Sequence, residues 1–542
     1  MRAGRLLPLA VNWLWLQNSY AGNRRFSRAL ENPGPTQELY LKNLLRRNES
    51  TQYGRANHFS QISSIRDFQE NIPLTRYEDY LPYIEEISRG KSSVLTHDPV
   101  ALFQPTSGTS SASKLIPYNQ PLKAEYQMAI SPWVYNLFRR VPGLMRGRAY
   151  WSISPPVERN KFHGCIPVGF DDDSEYLGGI GKRLYNLVSV GRQKFTPDIS
   201  LDDFRDRTLT SLLAARNLAL ISVWSPTLLL TLIKHFLENQ GRLIEVLASS
   251  GSPDARARAG NIRWTIQKHG LNFKAIWPDL KLISCWTHGA SEPFIPEIRR
   301  YFPGTEIQGK GLVATEAFVS LPLLPDNDPV LAVNSHFFEF RDIETGKIRL
   351  AHELDRGGVY SVIVTTGGGL YRYEMDDLVR VTGFIAATPA LRFISKNAVS
   401  DIFGEKLNAE HVQRSLAVTF AEYSLNPTFF FVAPTELPGG RISYTLFFES
   451  ENVSDEQGRM LREKLEGCFL ENFHYAYCRK LGQLGHLEAF LIDCSSVSPE
   501  VAYLGEMHRR GLKLGDIKPS VLDRETGWEK RFQGRFMATD YS

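Results

Sequence analysis

Four short apolar runs set the frame for this chain: Ala219 to Val223, Lys281 to Trp286, Phe337 to Arg341 and Tyr360 to Thr365. Each is four to eight residues long and bounded by turn residues, as a buried strand is. Segments of helical spacing separate them from the start to about Leu391, and that alternation predicts an α/β fold. The run Leu218 to Ile233 is broken by Ser225-Pro226, so it reads as a strand, a turn and a helix entered at proline. Glu344-Thr-Gly-Lys347 reads as the turn between two antiparallel strands.

Beyond Ser395 the pattern changes. Asn408 is placed to cap a helix through Ala417, and strands are expected at Phe429 to Val432 and Ile442 to Glu449. Ser454-Asp-Glu-Gln457 is a capping-box pattern, followed by Leu461, Leu465, Phe469 and Phe473 at helical spacing. A strand from Leu487 to Ile492 precedes a helix with Ser498 as cap, Pro499 at its first position and Gly511 at its end. The expectation is a large N-terminal lobe of β-sheets and packed helices over 1–395, and a smaller, mobile α+β lobe over 396–542. A length of 542 residues supports two such cores.

Composition mainly excludes. Lys and Arg number 63 against 59 Asp and Glu, a net charge of +4, which makes no case for nucleic acid or an acidic membrane. Cys165, Cys285, Cys468, Cys478 and Cys494 form no C-x-x-C, and an odd count argues against a disulfide framework. A reducing, cytoplasmic setting is expected, with each cysteine a small buried residue. The apolar stretch Leu6 to Leu16 contains Asn12 and is too short to span a bilayer, so it reads as an amphipathic helix folded onto the body. No integral membrane segment is expected, and nothing assigns an oligomeric state.

The stretch Thr106-Ser-Gly-Thr-Ser-Ser-Ala-Ser-Lys114 follows the apolar Val100 to Phe103. Thr106, Ser107, Gly108, Thr109, Ser110 and Lys114 offer backbone and side-chain donors to an anion. It is not a Walker loop: the second glycine position holds Ser113 and Leu115 follows the lysine, so both the turn and the magnesium hydroxyl are missing. Composition alone leaves a plain surface loop equally open.

This loop resembles the T-S-G-T-T-G-x-P-K signature of the acyl-adenylate-forming superfamily, with Ser111 and Ser113 at the usual glycine and proline. Together with Leu282-Ile-Ser-Cys-Trp286, Gly311-Leu-Val-Ala-Thr-Glu316 and Gly369-Leu-Tyr-Arg-Tyr-Glu-Met-Asp-Asp377, it is similar to the auxin-responsive Gretchen Hagen family of acyl acid–amido synthetases. The resemblance implies ATP and Mg2+ as cofactors. It places Thr315 and Glu316 at the nucleotide, with Glu316 holding magnesium, and gives Asp377 the ribose hydroxyls. Asp376 stands where glycine is usual, and Glu374 where plant members often carry a basic residue. Gly404-Glu-Lys-Leu-Asn408 resembles the segment after the pivot between lobes, and an exposed helix-entry loop is the alternative. Lys518, in Gly515-Asp-Ile-Lys518-Pro519, would be the adenylation lysine, with Lys513 as its competitor. The implied partners are a small-molecule carboxylic acid and an amine, expected to be an amino acid. An acyl-coenzyme A ligase and a non-catalytic nucleotide-binding scaffold remain as alternatives. His163, His288, His336 and His352 are isolated, with no zinc spacing and no Ser-His-Asp triad.

Overall fold

The computed structural model describes residues 3–106, 114–152, 162–170, 173–191, 199–325, 328–396, 399–400, 402–403, 405, 407–437, 440–450, 453–494, 498–510, 512, 517 and 520–537. Two compact units emerge. The larger is built from the described residues of 1–288 and 295–393, the smaller from those of 289–294 and 394–542.

In the larger unit the first hundred residues are helical, not alternating: Ala3–Glu31, Pro33–Asn48, Gln52–Ala56, Ile65–Asn71 and Tyr77–Ser88 precede the first strand. The stretch Leu6 to Leu16 lies in the first helix, which buries Val11, Trp15, Phe26 and Leu30. Asn12 sits among them because its amide donates to the carbonyls of Leu144, Met145 and Gly147 at 3.1, 3.2 and 3.1 Å. A buried amide needs such partners.

Two sheets follow. Arg148–Trp151, Leu218–Ser222, Leu282–Cys285 and Glu306–Gly309 form a parallel sheet in that order. Leu218–Ser222 is buried along its whole length, as a parallel strand covered on both faces must be. The helix Pro226–Ala248 starts at the proline, as expected. The second sheet has seven strands: Ile348–Leu350, Phe337–Asp342, Val359–Thr365, Tyr373–Ile385, Thr388–Lys396, Val330–Leu331 and Ser320–Leu321. Phe337–Asp342 pairs antiparallel with Ile348–Leu350 across the Glu344 turn. From Ser320 onward strand follows strand, so the expected alternation with helices holds only for the parallel sheet.

The smaller unit carries Phe430–Leu437, Arg441–Phe448, Glu488–Ile492 and Gly534–Phe536 in one sheet. Its middle pair is parallel, which the helices Asp455–Leu470 and Phe473–Lys480 between them make possible. Asn408 caps Ala409–Glu422, and Ser454 with Gln457 forms the expected capping box. Two details differ. Phe473 does not continue the Leu461 stripe: Asn472 Oδ1 accepts from the backbone of His474 and Tyr475, starting a new helix that leaves Phe473 75% exposed. Ser498 binds Glu500 instead of a backbone N–H, and Gly511 lies outside the described residues. The cysteines are all free, but only Cys285 and Cys478 are buried; Cys468 is half-buried, and Cys165 and Cys494 are exposed. Among the described residues no helix is long and apolar enough to cross a membrane.

Candidate active site

The ends of the 106–114 segment are carried on a hairpin. Leu102–Pro105 pairs antiparallel with Leu115–Tyr118, and Thr106 N–H donates to Lys114 O at 2.9 Å to close its base. Ser107, Gly108, Thr109 and Ser110, with the substituted Ser111 and Ser113, lie outside the described residues. Lys114 is half-buried between two tyrosines. Its Nζ donates to Tyr373 Oη at 3.3 Å and lies 5.7 and 5.8 Å from the Tyr77 and Tyr373 ring centres. Tyr77 Oη accepts from Leu115 N–H at 2.7 Å, fixing the residue that follows the lysine.

Thr315 and Glu316 occupy the tip of a tight turn, closed by Ala314 N–H donating to Ala317 O at 3.0 Å. Two phenols hold it from below. Tyr118 Oη donates to Thr315 O at 2.6 Å, and Tyr126 Oη to Ala314 O at 2.5 Å and Thr315 O at 3.0 Å. Both tyrosines are buried, which pushes their pKa values well above the ordinary range and keeps them donors. Glu316 is 6% exposed, and among the described residues no ion pair engages it. No group of three potential metal ligands occurs among the described residues. A single hard carboxylate fits magnesium, which takes one or two protein oxygens alongside phosphates.

Asp377 lies on Tyr373–Ile385, where the strand slips register against its neighbour between Glu374 and Leu378. Asp376 within that bulge has φ +60°, the left-handed conformation that explains why glycine is usual there and that aspartate tolerates. Asp377 is 1% exposed, and neither Oδ1 nor Oδ2 has a hydrogen-bond partner. Two buried acceptors so placed suit a diol. Burial, and then the carboxylates of Glu316, Asp376, Glu78 and Asp377, push Tyr373 well above its ordinary pKa. The phenol that Lys114 touches thus feels the charge of both Glu316 and Asp377. The acidity of Glu374 is compensated: it pairs with Arg341 and, at 3.3 Å, with Arg76, which also lies 3.6 Å from Asp376.

The same segment contains an anchor that sequence reasoning missed. Arg372 is buried and bidentate to Glu339 at 3.0 and 2.9 Å, with Nη1 donating to Gln69 O and Ile72 O. A second is Glu125, which accepts from Tyr40 Oη at 2.6 Å, from Gly367 N–H at 3.0 Å and from His336 Nδ1 at 2.9 Å. His336 Nε2 accepts from Phe318 N–H at 3.0 Å, so the ring is the neutral Nδ1–H tautomer and positions the turn without acting as a base. The glycine run 367–369 was the available signal, because a Cβ at Gly367 would sit 2.4 Å from Glu125 Oε1.

In the smaller unit Glu405 is fully buried, accepting from Ile402 N–H, Phe403 N–H and Tyr444 Oη, so it anchors its loop and is not exposed. Gly404, Lys406, Lys513 and Lys518 lie outside the described residues. His288 is 3.5 Å from Asp328, and burial lowers its pKa to about 4.

Comparison with known proteins gives the family. Residues 22–307 match the GH3 family N-terminal domain and residues 329–396 the GH3 family central domain. An indole-3-acetic acid-amido synthetase, GH3.2 of Arabidopsis thaliana, is 26% identical over 495 residues, covering 81% of this chain and 88% of its own. A probable indole-3-acetic acid-amido synthetase, GH3.11 of Oryza sativa subsp. japonica, is 26% identical over 529 residues, covering 86% and 88%. The solved structure of AtGH3.15 acyl acid amido synthetase in complex with 2,4-DB superposes with a TM-score of 0.77 at 19% identity, covering 95% of both chains, and so shares the fold. With its two domain matches spanning more than half of its length, the chain belongs to the GH3 family.

Proposed function

We propose that this protein is an ATP-dependent acyl acid–amido synthetase that adenylates a carboxylic acid and passes the acyl group to an amine, an amino acid by preference. The observation that carries the reading is Asp377, a buried carboxylate with both oxygens unpartnered, beside the phenol that also receives Lys114. A ribose diol would satisfy both oxygens. Amido synthetases among its relatives favour an amide product over a thioester.

In this reading the lobe over 1–395 binds ATP and the acid, and the lobe over 396–542 supplies Lys518. Thr106, Ser107, Gly108, Thr109, Ser110 and Lys114 would hold the phosphates. Thr315 would contact the nucleotide, and Glu316 would hold Mg2+, which neutralises phosphate charge when bound. The acid's carboxylate attacks the α-phosphorus, pyrophosphate leaves, and the amine then attacks the acyl carbon and releases AMP. The first step needs donors around developing charge more than a protein nucleophile. The free cysteines suit a cytoplasmic setting.

Acid-dependent exchange of labelled pyrophosphate into ATP is the test. Exchange with some acid is expected, followed by amide formation with amino acids. Absence of exchange across a broad acid panel points to a scaffold, and acyl transfer to coenzyme A alone points to a thioester ligase.

A further inference from the structure

The helix Ala3–Glu31 has two contrasting long faces. One, carrying Val11, Trp15, Phe26 and Leu30, is buried in the larger unit. At 3.6 residues per turn the opposite face carries Leu6, Trp13, Tyr20 and Arg24, bordered by Leu7, Leu14 and Arg25. Leu6, Leu7, Trp13, Leu14 and Tyr20 are all exposed, Leu6 the most at 64%. A surface helix ordinarily turns charged and polar residues to water. Here the outward line from Leu6 to Tyr20 is apolar or aromatic, interrupted by Gln17, and it becomes basic at Arg24.

The apolar surface continues onto neighbouring helices. Tyr20 and Tyr135 of Gln120–Arg140 have ring centres 5.9 Å apart, and two turns back from Tyr135 Met128 is exposed. The helix Gly178–Val188 packs with Gly181 towards Trp15 and leaves Ile180 and Leu187 exposed. Charge on this layer is of one sign. Ala3–Glu31 has no acidic residue before Glu31, Gly178–Val188 has none, and the single acid of Gln120–Arg140, Glu125, is buried. Arg24, Arg25, Arg28, Arg139, Arg140 and Arg183 are exposed, and among the described residues none of them forms an ion pair or hydrogen bond. Arg5 and Lys182, by contrast, are paired, with Asp279 and Glu175. The excess of +4 over the whole chain averages this basic layer with the rest of the surface.

We infer that this helical layer docks on an anionic lipid bilayer. The first helix lies along the membrane surface, with Leu6, Leu7, Trp13 and Leu14 at the acyl boundary and Arg24, Arg25 and Arg28 among the anionic headgroups. An intact helix can enter that boundary without exposing backbone groups to hydrocarbon. Tryptophan and tyrosine suit the same depth, having an apolar ring and a polar edge. A second copy of the chain matches poorly, because a face without acids offers nothing to neutralise the arginines of its twin. A nucleic acid would meet the arginines through its phosphates but would gain nothing from exposed leucines. The inference does not rest on the synthetase reading, which the exchange assay tests separately.

The test sediments the full chain with vesicles of phosphatidylcholine, alone or with about one-third phosphatidylserine. Binding to the mixed vesicles is expected, weakening as salt is raised, with little binding to the neutral ones. Arg24→Gln, Arg25→Gln and Arg28→Gln combined should weaken binding about a hundredfold. Trp13→Ser with Leu14→Ser should weaken it at least about tenfold at unchanged charge. Both variants should melt close to wild type, because the replaced side chains are exposed. Lipid brominated on its acyl chains should quench part of the tryptophan fluorescence of the bound wild type, and less of it in Trp13→Phe. The inference is overturned if the wild type ignores phosphatidylserine, if either multiple variant binds as wild type does, or if Trp13→Phe leaves the quenching unchanged. Binding to duplex RNA in place of vesicles would assign the arginines to nucleic acid and overturn it. So would a wild-type dimer that shuns vesicles and that the Trp13 and Leu14 substitutions split.

Discussion

His336 and Glu125 meet at 2.9 Å in the interior of the larger unit, with the imidazole fully buried and donating to the carboxylate. Through its other nitrogen His336 receives Phe318 N–H, just past the turn of Thr315 and Glu316. The pair therefore ties the helix Gln120–Arg140 to the segment that carries the acidic residue of the site. Glu125→Gln should destabilise the protein by about 2–3 kcal/mol, since an amide NH2 would face the donors of Gly367 and Tyr40. Urea denaturation reads the loss directly, and unchanged stability would mean the network is dispensable.

Asp377→Ala should separate binding from stability. Losing charge-assisted hydrogen bonds to ribose should weaken ATP binding by about 1.5–3 kcal/mol, roughly ten- to a hundredfold, with acid binding less affected. The unliganded protein should melt no lower than wild type, because the deleted carboxylate has no hydrogen-bond partner of its own. Calorimetric titration with ATP and a thermal melt check both halves. Wild-type ATP affinity in a folded variant removes Asp377 from the ribose.

Glu316→Ala should lower activity sharply and raise the magnesium concentration needed for half-maximal rate. The turn itself should survive, because it is held through the carbonyls of Ala314 and Thr315 and not through the glutamate side chain. A magnesium titration of exchange rates is the measurement. An unaltered requirement would place the metal on other ligands.

Lys518→Ala should slow acyl-adenylate formation at least ~100-fold, about 2.7 kcal/mol. Aminolysis of supplied acyl-adenylate should be much less affected. An ammonium near the α-phosphate offsets repulsion between two approaching anions, and that repulsion is absent from the second step. If only the second step fails, Lys518 serves amine transfer instead.

His288 gives the protein an acid-sensitive component. Burial first, and Arg392 second, lower it from 6.5 to about 4, against the pull of Asp328. Between those values the unfolded chain binds the additional proton, so stability is complete above pH 6.5 and falls as pH drops towards 4. The loss should reach about 3 kcal/mol at most. His288→Asn should flatten that part of the pH–stability curve, and a curve of unchanged slope would assign the sensitivity to other groups.

Contiguous motifs were readable in the sequence; contacts assembled across the fold were not. Thr315, Glu316 and Asp377 each sit inside a motif whose spacing survives in a single chain. Glu125 and His336 are 211 positions apart, and an isolated histidine carries no sign of its partner. Arg372 and Glu339 pair across 33 positions and hold Gln69 and Ile72 some 300 positions away, so no window of sequence contains that anchor. Individual elements were misread where local competition decided the outcome. Phe473 has the right spacing to continue a helix, yet the Asn472 side chain captures the next backbone donors and begins another. The strand-rich segment after Ser320 misled for a different reason. Paired antiparallel strands need only short turns between them, whereas parallel ones need the helices that the alternation rule assumes.

The single hydrogen bond from Thr106 to Lys114 has a practical meaning for anyone exchanging parts between members of this family. It joins the two ends of the loop where the flanking strands have already brought them together, so the hairpin fixes the span that any loop placed there must close. Loop-closure cost varies only slowly with length once the ends are fixed. Grafting a glycine- and proline-bearing loop in place of Ser111 and Ser113 should therefore alter anion recognition while leaving the surrounding architecture, and its melting behaviour, essentially as they are.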